Sequence, residues 1–331
     1  MTQMSSSSCG SQISRRTALA MGAGVAATLA VPALASAEDK HLPIIDTHQH
    51  LWDLDKFTLP WLERGGALGR SFVTKDYLAA VEGLNFVKAV YMEVDVKPDQ
   101  HVAEAEYVLA LAKDPKNLTA AGVIGGRPAE EGFRAYVKRF QDEPKIIGVR
   151  QVLHGGMPKG FCTSKEFVRG VSVLGEFGKT FDLCMRPADL ADAAKLVEAC
   201  PDTRFVLDHC GNGELAAFWR GSQNDKAANQ FRRDIDALAK HERVVCKISG
   251  LPFQLAGKEK WDADDLAPVI NICLDAFGPD RVIFASDWPV CTLGATVKQW
   301  VDAVKTIVAG RPLAHQQKLF HDNAEKFYGL A

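Results

Sequence analysis

Two histidines one residue apart, His48 and His50, close the apolar run Pro43-Ile44-Ile45-Asp46-Thr47 and open onto a polar loop. If that run is a buried strand, alternation puts both imidazoles on one face, where they suit a metal ion or a paired proton relay. A polar group closing an apolar run recurs along the chain: Glu93; Arg150 and Gln151, with His154 just beyond; Arg186; Asp208-His209; Lys247 and Ser249; and Asp287-Trp288-Pro289. Buried polar groups need partners, and the simplest common partner for so many is one shared site. Lys247 either faces that site with Ser249 or caps a neighbouring carboxylate. Trp52, Phe57 and Trp61 crowd the segment after His50, and Trp288 follows Asp287. They form either the apolar wall of a ligand site or part of the core.

These residues need elements that deliver them to one place. Apolar, β-branched runs predict strands over Pro43 to His48, Phe86 to Val94, Leu118 to Ile124, Ile146 to Leu153, Thr180 to Arg186, Thr203 to His209, Arg243 to Ser249 and Arg281 to Asp287. Most are nearly continuous in Val, Ile, Leu and Phe, as parallel strands buried on both faces are. Helical patterns lie between them, as at Gln100 to Ala112, Pro187 to Ala199 and Asp262 to Phe277. Alternation of this kind fits a single-domain α/β (β/α)8 TIM barrel or a doubly wound open sheet. Polar residues at the carboxyl ends of many different strands favour the barrel.

Residues 1–37 read as an address. Ser14-Arg15-Arg16-Thr17-Ala18-Leu19, an Ala- and Gly-rich apolar stretch, and Ala35-Ser36-Ala37 resemble a bacterial twin-arginine leader with a cleavage site. The expected partner is then the twin-arginine export machinery, with a periplasmic or secreted product, or a membrane-anchored one if the leader is retained. Residues 38–331 remain, about 290 residues, within the range of one large barrel. The chain has a net charge of −2 and no basic run, so nucleic acid is not an expected partner. Beyond Cys9 the cysteines are odd in number and lack CxxC spacing, which argues against a disulfide scaffold or zinc knot. Cys184, Cys210 and Cys246 read as small buried hydrophobes.

Five segments in order, Ile45-Asp46-Thr47-His48-Gln49-His50-Leu51-Trp52-Asp53, Gly148-Val149-Arg150-Gln151-Val152-Leu153, Phe205-Val206-Leu207-Asp208-His209, Cys246-Lys247-Ile248-Ser249-Gly250 and Phe284-Ala285-Ser286-Asp287-Trp288-Pro289, resemble the signatures of the amidohydrolase superfamily. The likeness is to its amidohydrolase-2 branch, which includes L-fuconolactonase-like and dicarboxylate lactonases, and Asn323 to Leu330 resembles that branch's C-terminal helix. The resemblance implies that His48, His50, His209 and Asp287 are catalytic and ligate a single divalent cation, zinc by ligand type, with Asp287 handling the proton of the attacking water. Binuclear members carry a bridging lysine at the end of strand four. Arg150-Gln151 stands there instead, so two metals are not expected. Some lactonases of the branch work without a metal, and then Asp287 is the general base while histidines and arginines stabilise the oxyanion. Arg150 and Arg186 would bind a carboxylate or a sugar lactone's oxygens, and His154, Trp52 and Trp288 complete the expected substrate contacts. The implied activity is hydrolysis of a small-molecule lactone, such as that of a sugar acid. The rivals are a zinc-dependent amide or ester hydrolase, a decarboxylase of the same superfamily, and a non-catalytic carbohydrate- or acid-binding barrel.

Overall fold

A computed structural model describes residues 42–219, 222 and 224–330, and the leader expected over residues 1–37 lies outside them. Eight strands, β1 (Ile44–Gln49), β2 (Phe86–Met92), β3 (Thr119–Gly125), β4 (Ile146–Val152), β5 (Thr180–Cys184), β6 (Arg204–Leu207), β7 (Val244–Ile248) and β8 (Val282–Phe284), pair in parallel in sequence order. Helices α1 (Thr74–Ala80), α2 (His101–Lys113), α3 (Phe133–Lys138), α4 (Lys165–Glu176), α5 (Leu190–Ala199), α6 (Asp225–Ala239), α7 (Ala263–Phe277) and α8 (Val297–Val308) follow them in turn. The architecture is a single-domain (β/α)8 barrel. Helices α9 (Leu313–Gln317) and α10 (Asn323–Tyr328) complete the chain. Among the described residues no helix is long and apolar enough to cross a membrane.

The strands bury both faces. One apolar layer, which includes Leu183, Phe205 and Phe284, packs outward against the helices. The other, with Val90, Val123, Val206, Val245 and Ile283, fills the barrel interior, and Ala324, Tyr328 and Leu330 of the C-terminal segment join it. Pro187 opens a short 3-10 turn, Pro187–Asp189, that leads into α5, where a missing N–H costs little.

Six strands, β2 and β4 to β8, end earlier than the apolar runs suggest, and three of these ends shape the site. The run expected to Arg186 leaves the sheet after Cys184. β6 stops at Leu207 because His209 and Cys210 take left-handed backbone angles, φ 57° and 50°. β8 stops at Phe284, and Asp287 likewise has φ 58°. Non-glycine residues rarely adopt this conformation, and where they do, it is held by the surroundings.

Candidate active site

The barrel closes at the site itself. At their carboxyl ends β1 and β8 are joined by Asp287 N–H donating to the His48 carbonyl (3.0 Å) and His50 N–H donating to the Trp288 carbonyl (2.8 Å). Asp46 staples the same seam: its carboxylate accepts bonds from Ser286 N–H (2.8 Å), Ser286 Oγ (2.5 Å) and Tyr77 OH (2.8 Å). A register shift in β1 between Asp46 and Gln49 lets Asp46 face Tyr77 and Ser286 while His48 and His50 turn toward Asp287.

His48 and His50 share a face, as alternation predicts, with their Nε2 atoms 3.1 Å apart. Asp287 Oδ1 lies 3.6 Å from the first and 3.4 Å from the second. Ligands held about 2.0–2.2 Å from one tetrahedral centre lie about 3.4 Å from each other, so this triangle fits a single divalent cation. Hydrogen-bond roles agree. His50 Nδ1 faces the Met92 carbonyl at 3.1 Å, which can only accept, so Nδ1 carries the proton and Nε2 keeps its lone pair. His48 Nδ1 lies 3.5 Å from Asp208 Oδ1, while Arg150 Nη1, which can only donate, lies 3.2 Å from His48 Nε2. Both Nε2 atoms then present lone pairs toward each other, that of His48 shared with Arg150, an arrangement that suits a cation between them.

The expected ligands His48, His50 and Asp287 form one triad, and His209 joins His48 in a second whose third member is Asp208, which was not among the expected ligands. His209 Nδ1 bonds Ser249 Oγ at 3.0 Å. Gly250, with φ 69°, makes room for that ring, because a Cβ there would lie 2.3 Å from His209 Cγ.

Under the histidines lies a fully buried charge network. Lys247 Nζ contacts Asp182 Oδ2 (2.6 Å), Asp208 Oδ1 (3.0 Å) and His48 Nδ1 (3.4 Å). Burial disfavours this ammonium, but Asp182 and Asp208 hold its pKa above the usual lysine value. Burial also opposes the charged form of Asp208, yet Lys247 and His48 keep it well below the usual carboxylate range. Of the two carboxyls sharing one lysine, Asp182 is the one raised, to about 7, by burial and by its neighbour Asp208 against the pull of Lys247. Burial, reinforced by Lys247, drives the pKa of His48 far down, so its imidazole is neutral and able to ligate. Arg150 is equally committed: Nε donates to Glu93 Oε1 (2.6 Å), Nη2 to the Glu93 carbonyl (2.9 Å) and Nη1 approaches Asp208 Oδ2 (3.5 Å).

Above this floor opens a cavity of about 810 Å³, bordered by His50, Trp52, Arg150, His154, Arg186, His209 and Asp287. Trp288, expected at the substrate, is not on its wall. The indole packs against Phe72 (5.5 Å) and Tyr77 (5.4 Å) instead, because its backbone is held in the β1–β8 seam. Arg186 reaches the cavity but is paired with Asp189 at 2.5 Å. Lys247 does cap carboxylates, two of them.

Sequence reasoning passed over Asp182, Asp46, Arg127 and Asp95. Asp182 had a signal, a charge in the middle of the apolar run Thr180-Phe181-Asp182-Leu183-Cys184. Arg127 follows β3 closely, where no polar strand end was expected, and it pairs with Asp95 at 2.7 Å on the cavity rim.

A family profile described as amidohydrolase matches residues 45–330. An L-fucono-1,5-lactonase of Burkholderia multivorans is 29% identical over 302 residues, covering 86% of this chain and 96% of that protein. An uncharacterised protein of Sinorhizobium fredii is 28% identical over 308 residues, 87% of this chain and 98% of that one. A crystal structure of an amidohydrolase from Burkholderia multivorans with bound zinc superposes with a TM-score of 0.76 at 27% identity, covering 87% of this chain and 100% of the other.

Proposed function

This chain belongs to the amidohydrolase family, and from that premise we propose that it is a lactonase acting on an uncharged, hydroxylated lactone of the sugar-acid type. The likeness to an L-fucono-1,5-lactonase supports the reaction. The observation that carries the substrate class is that each arginine bordering the cavity already has a carboxylate: Arg127 has Asp95 (2.7 Å), Arg150 has Glu93 (2.6 Å) and Arg186 has Asp189 (2.5 Å). Each guanidinium is thus already charge-neutralised, so a substrate carboxylate would add an unbalanced negative charge beside Asp95, Glu93 or Asp189, whereas neutral hydroxyls can bond to the free edges of these pairs at no such cost.

In this mechanism Asp287 takes a proton from the attacking water. The acyl carbon becomes tetrahedral, and its oxyanion receives N–H donors from Arg150 and from His209, whose Nδ1 is satisfied by Ser249. Collapse breaks the ring C–O bond, and the proton held by Asp287 returns to the departing ring oxygen, giving the open hydroxy acid. His48, His50 and Asp287 would hold a divalent cation, which when bound supplies Lewis-acid polarisation of the carbonyl. We place the reaction outside the cytoplasm on the strength of the leader sequence alone.

The role of Asp287 is tested by Asp287→Asn. Lactone turnover should fall about 10³-fold with far-UV circular dichroism and melting unchanged. Retention of most of the activity would sink the mechanism.

A further inference from the structure

The paired charges of the cavity rim lie on one side of it, among apolar neighbours such as Met157 and Met185, and the β6 loop adds Asn212 and Glu214. Loops after β2, β3, β4 and β5 contribute Asp95, Arg127, His154 and Arg186. Loops after β7, β8 and β1, which are neighbours around the barrel, contribute Phe253, Val290 and Trp61. Of the polar side chains that these loops bring to the cavity, His50 and Asp287 belong to the floor triad, and Gln254 is spent on backbone, accepting from Leu215 N–H (3.0 Å) and donating to the Gly213 carbonyl (3.0 Å).

Single exposed apolar side chains are ordinary on a protein surface, but a cluster at a cavity mouth is not. Among the described residues the large apolar side chains left exposed are Trp61, Val87, Phe253, Leu293 and Leu313, and two of these five, Trp61 and Phe253, border the cavity. Trp61 is not loose. Its Nε1–H donates to the Val94 carbonyl at 2.7 Å and its ring meets Trp52 edge to face at 5.8 Å, yet 44% of the residue remains uncovered. A fixed, uncovered indole beside a reactive floor is a surface prepared for a ligand.

Size points the same way. The cavity of about 810 Å³ lies in the upper part of the range of about 300–1,000 Å³ that holds drug-sized molecules. A monocyclic sugar lactone, with about a dozen heavy atoms, would leave much of it unfilled.

We infer that the lactone opened here carries an apolar substituent, aryl or alkyl, that extends from the reacting ring along the wall formed by Trp61, Val290 and Phe253. The inference rests on the lactonase reading: the ring's hydroxyls face the paired arginines, its carbonyl meets the floor, and the substituent lies on the opposite arc.

The test compares a hexono-1,5-lactone with the same lactone bearing a benzyl ether on its terminal hydroxyl, using the full-length protein. The benzyl ether should be hydrolysed with kcat/KM at least about tenfold higher. Trp61→Ala and Phe253→Ala should each lower that value about tenfold while lowering the parent's about twofold, and Leu313→Ala, outside the cavity, should leave the ratio of the two substrates where it was. Preference for the parent lactone, or equal losses on both substrates, overturns the inference. Binding is read separately by quenching of tryptophan fluorescence with the two ring-opened acids. Tighter, saturable binding of the benzyl-bearing acid that weakens in Phe253→Ala supports the apolar subsite even if neither lactone is opened, in which case the lactonase reading fails alone. Equal affinity for both acids counts against the subsite.

Discussion

The floor of the cavity and its rim solve the problem of charge differently. On the floor, Lys247, Asp182, Asp208, Arg150 and Glu93 are locked together in a buried network that meets the cavity at Arg150, each anchored on or next to a strand of the barrel. On the rim, Asp95 with Arg127 and Arg186 with Asp189 pair between or within loops and, Asp189 apart, remain partly exposed. The floor cannot rearrange without leaving a bare buried charge, whereas the rim can. Reaction chemistry is therefore fixed by the sheet, and selectivity is left to loops that can change at little cost.

The most damaging way to break this division is to remove the cation of the floor. Lys247→Met leaves Asp182 and Asp208 without their shared partner, and should cost about 3–5 kcal/mol of stability in urea unfolding. A loss below about 1 kcal/mol would mean the network is far more hydrated than its burial implies. Next comes Gly250→Ala. A methyl against the His209 ring should lower kcat about 10²-fold, with a smaller effect on KM. An unchanged kcat would remove His209 from the reaction.

Glu104 sharpens the contrast from another side. It is buried beside Glu93, its bonds come from the uncharged donors Val94 N–H (2.8 Å) and Tyr91 OH (3.1 Å), and burial together with Glu93 raises its pKa from 4.5 to about 8. A carboxyl whose pKa is raised on folding stabilises the protein below its unfolded value and loses that contribution as pH climbs through the folded one. Between pH 5 and 7 wild type should therefore lose on the order of 2 kcal/mol relative to Glu104→Gln, measured as the difference between their urea midpoints. A difference that does not vary with pH would show Glu104 to be charged throughout. The smallest effect belongs to the rim: Arg127→Ala should raise KM for a neutral lactone less than about fivefold, because an exposed pair contributes little, and a much larger rise would make Arg127 a direct substrate anchor.

This split also explains what could be read from the sequence. Eight apolar runs and the polar residues at their ends located the barrel and brought His48, His50, His209 and Asp287 to one end of it, because strand periodicity carries that information directly. The pairing of Asp208 with His48 and His209 in a second triad was not legible, since it depends on left-handed backbone at His209. Trp288 misled for a related reason. It stands beside Asp287 in sequence, but the closing seam turns its indole away from the cavity. Arg150 and Arg186 were visible as cations at strand ends, yet their partners Glu93 and Asp189 were not, and it is the partners that decide which ligand the arginines can take.

The most direct test is the ratio of kcat/KM for a neutral sugar 1,5-lactone to that for a lactone bearing ring carboxylates, measured on wild-type protein by acid release. Arginines already paired with internal carboxylates should give a preference for the neutral lactone of about 10²-fold or more. Equal or faster opening of the carboxylated lactone would contradict the account.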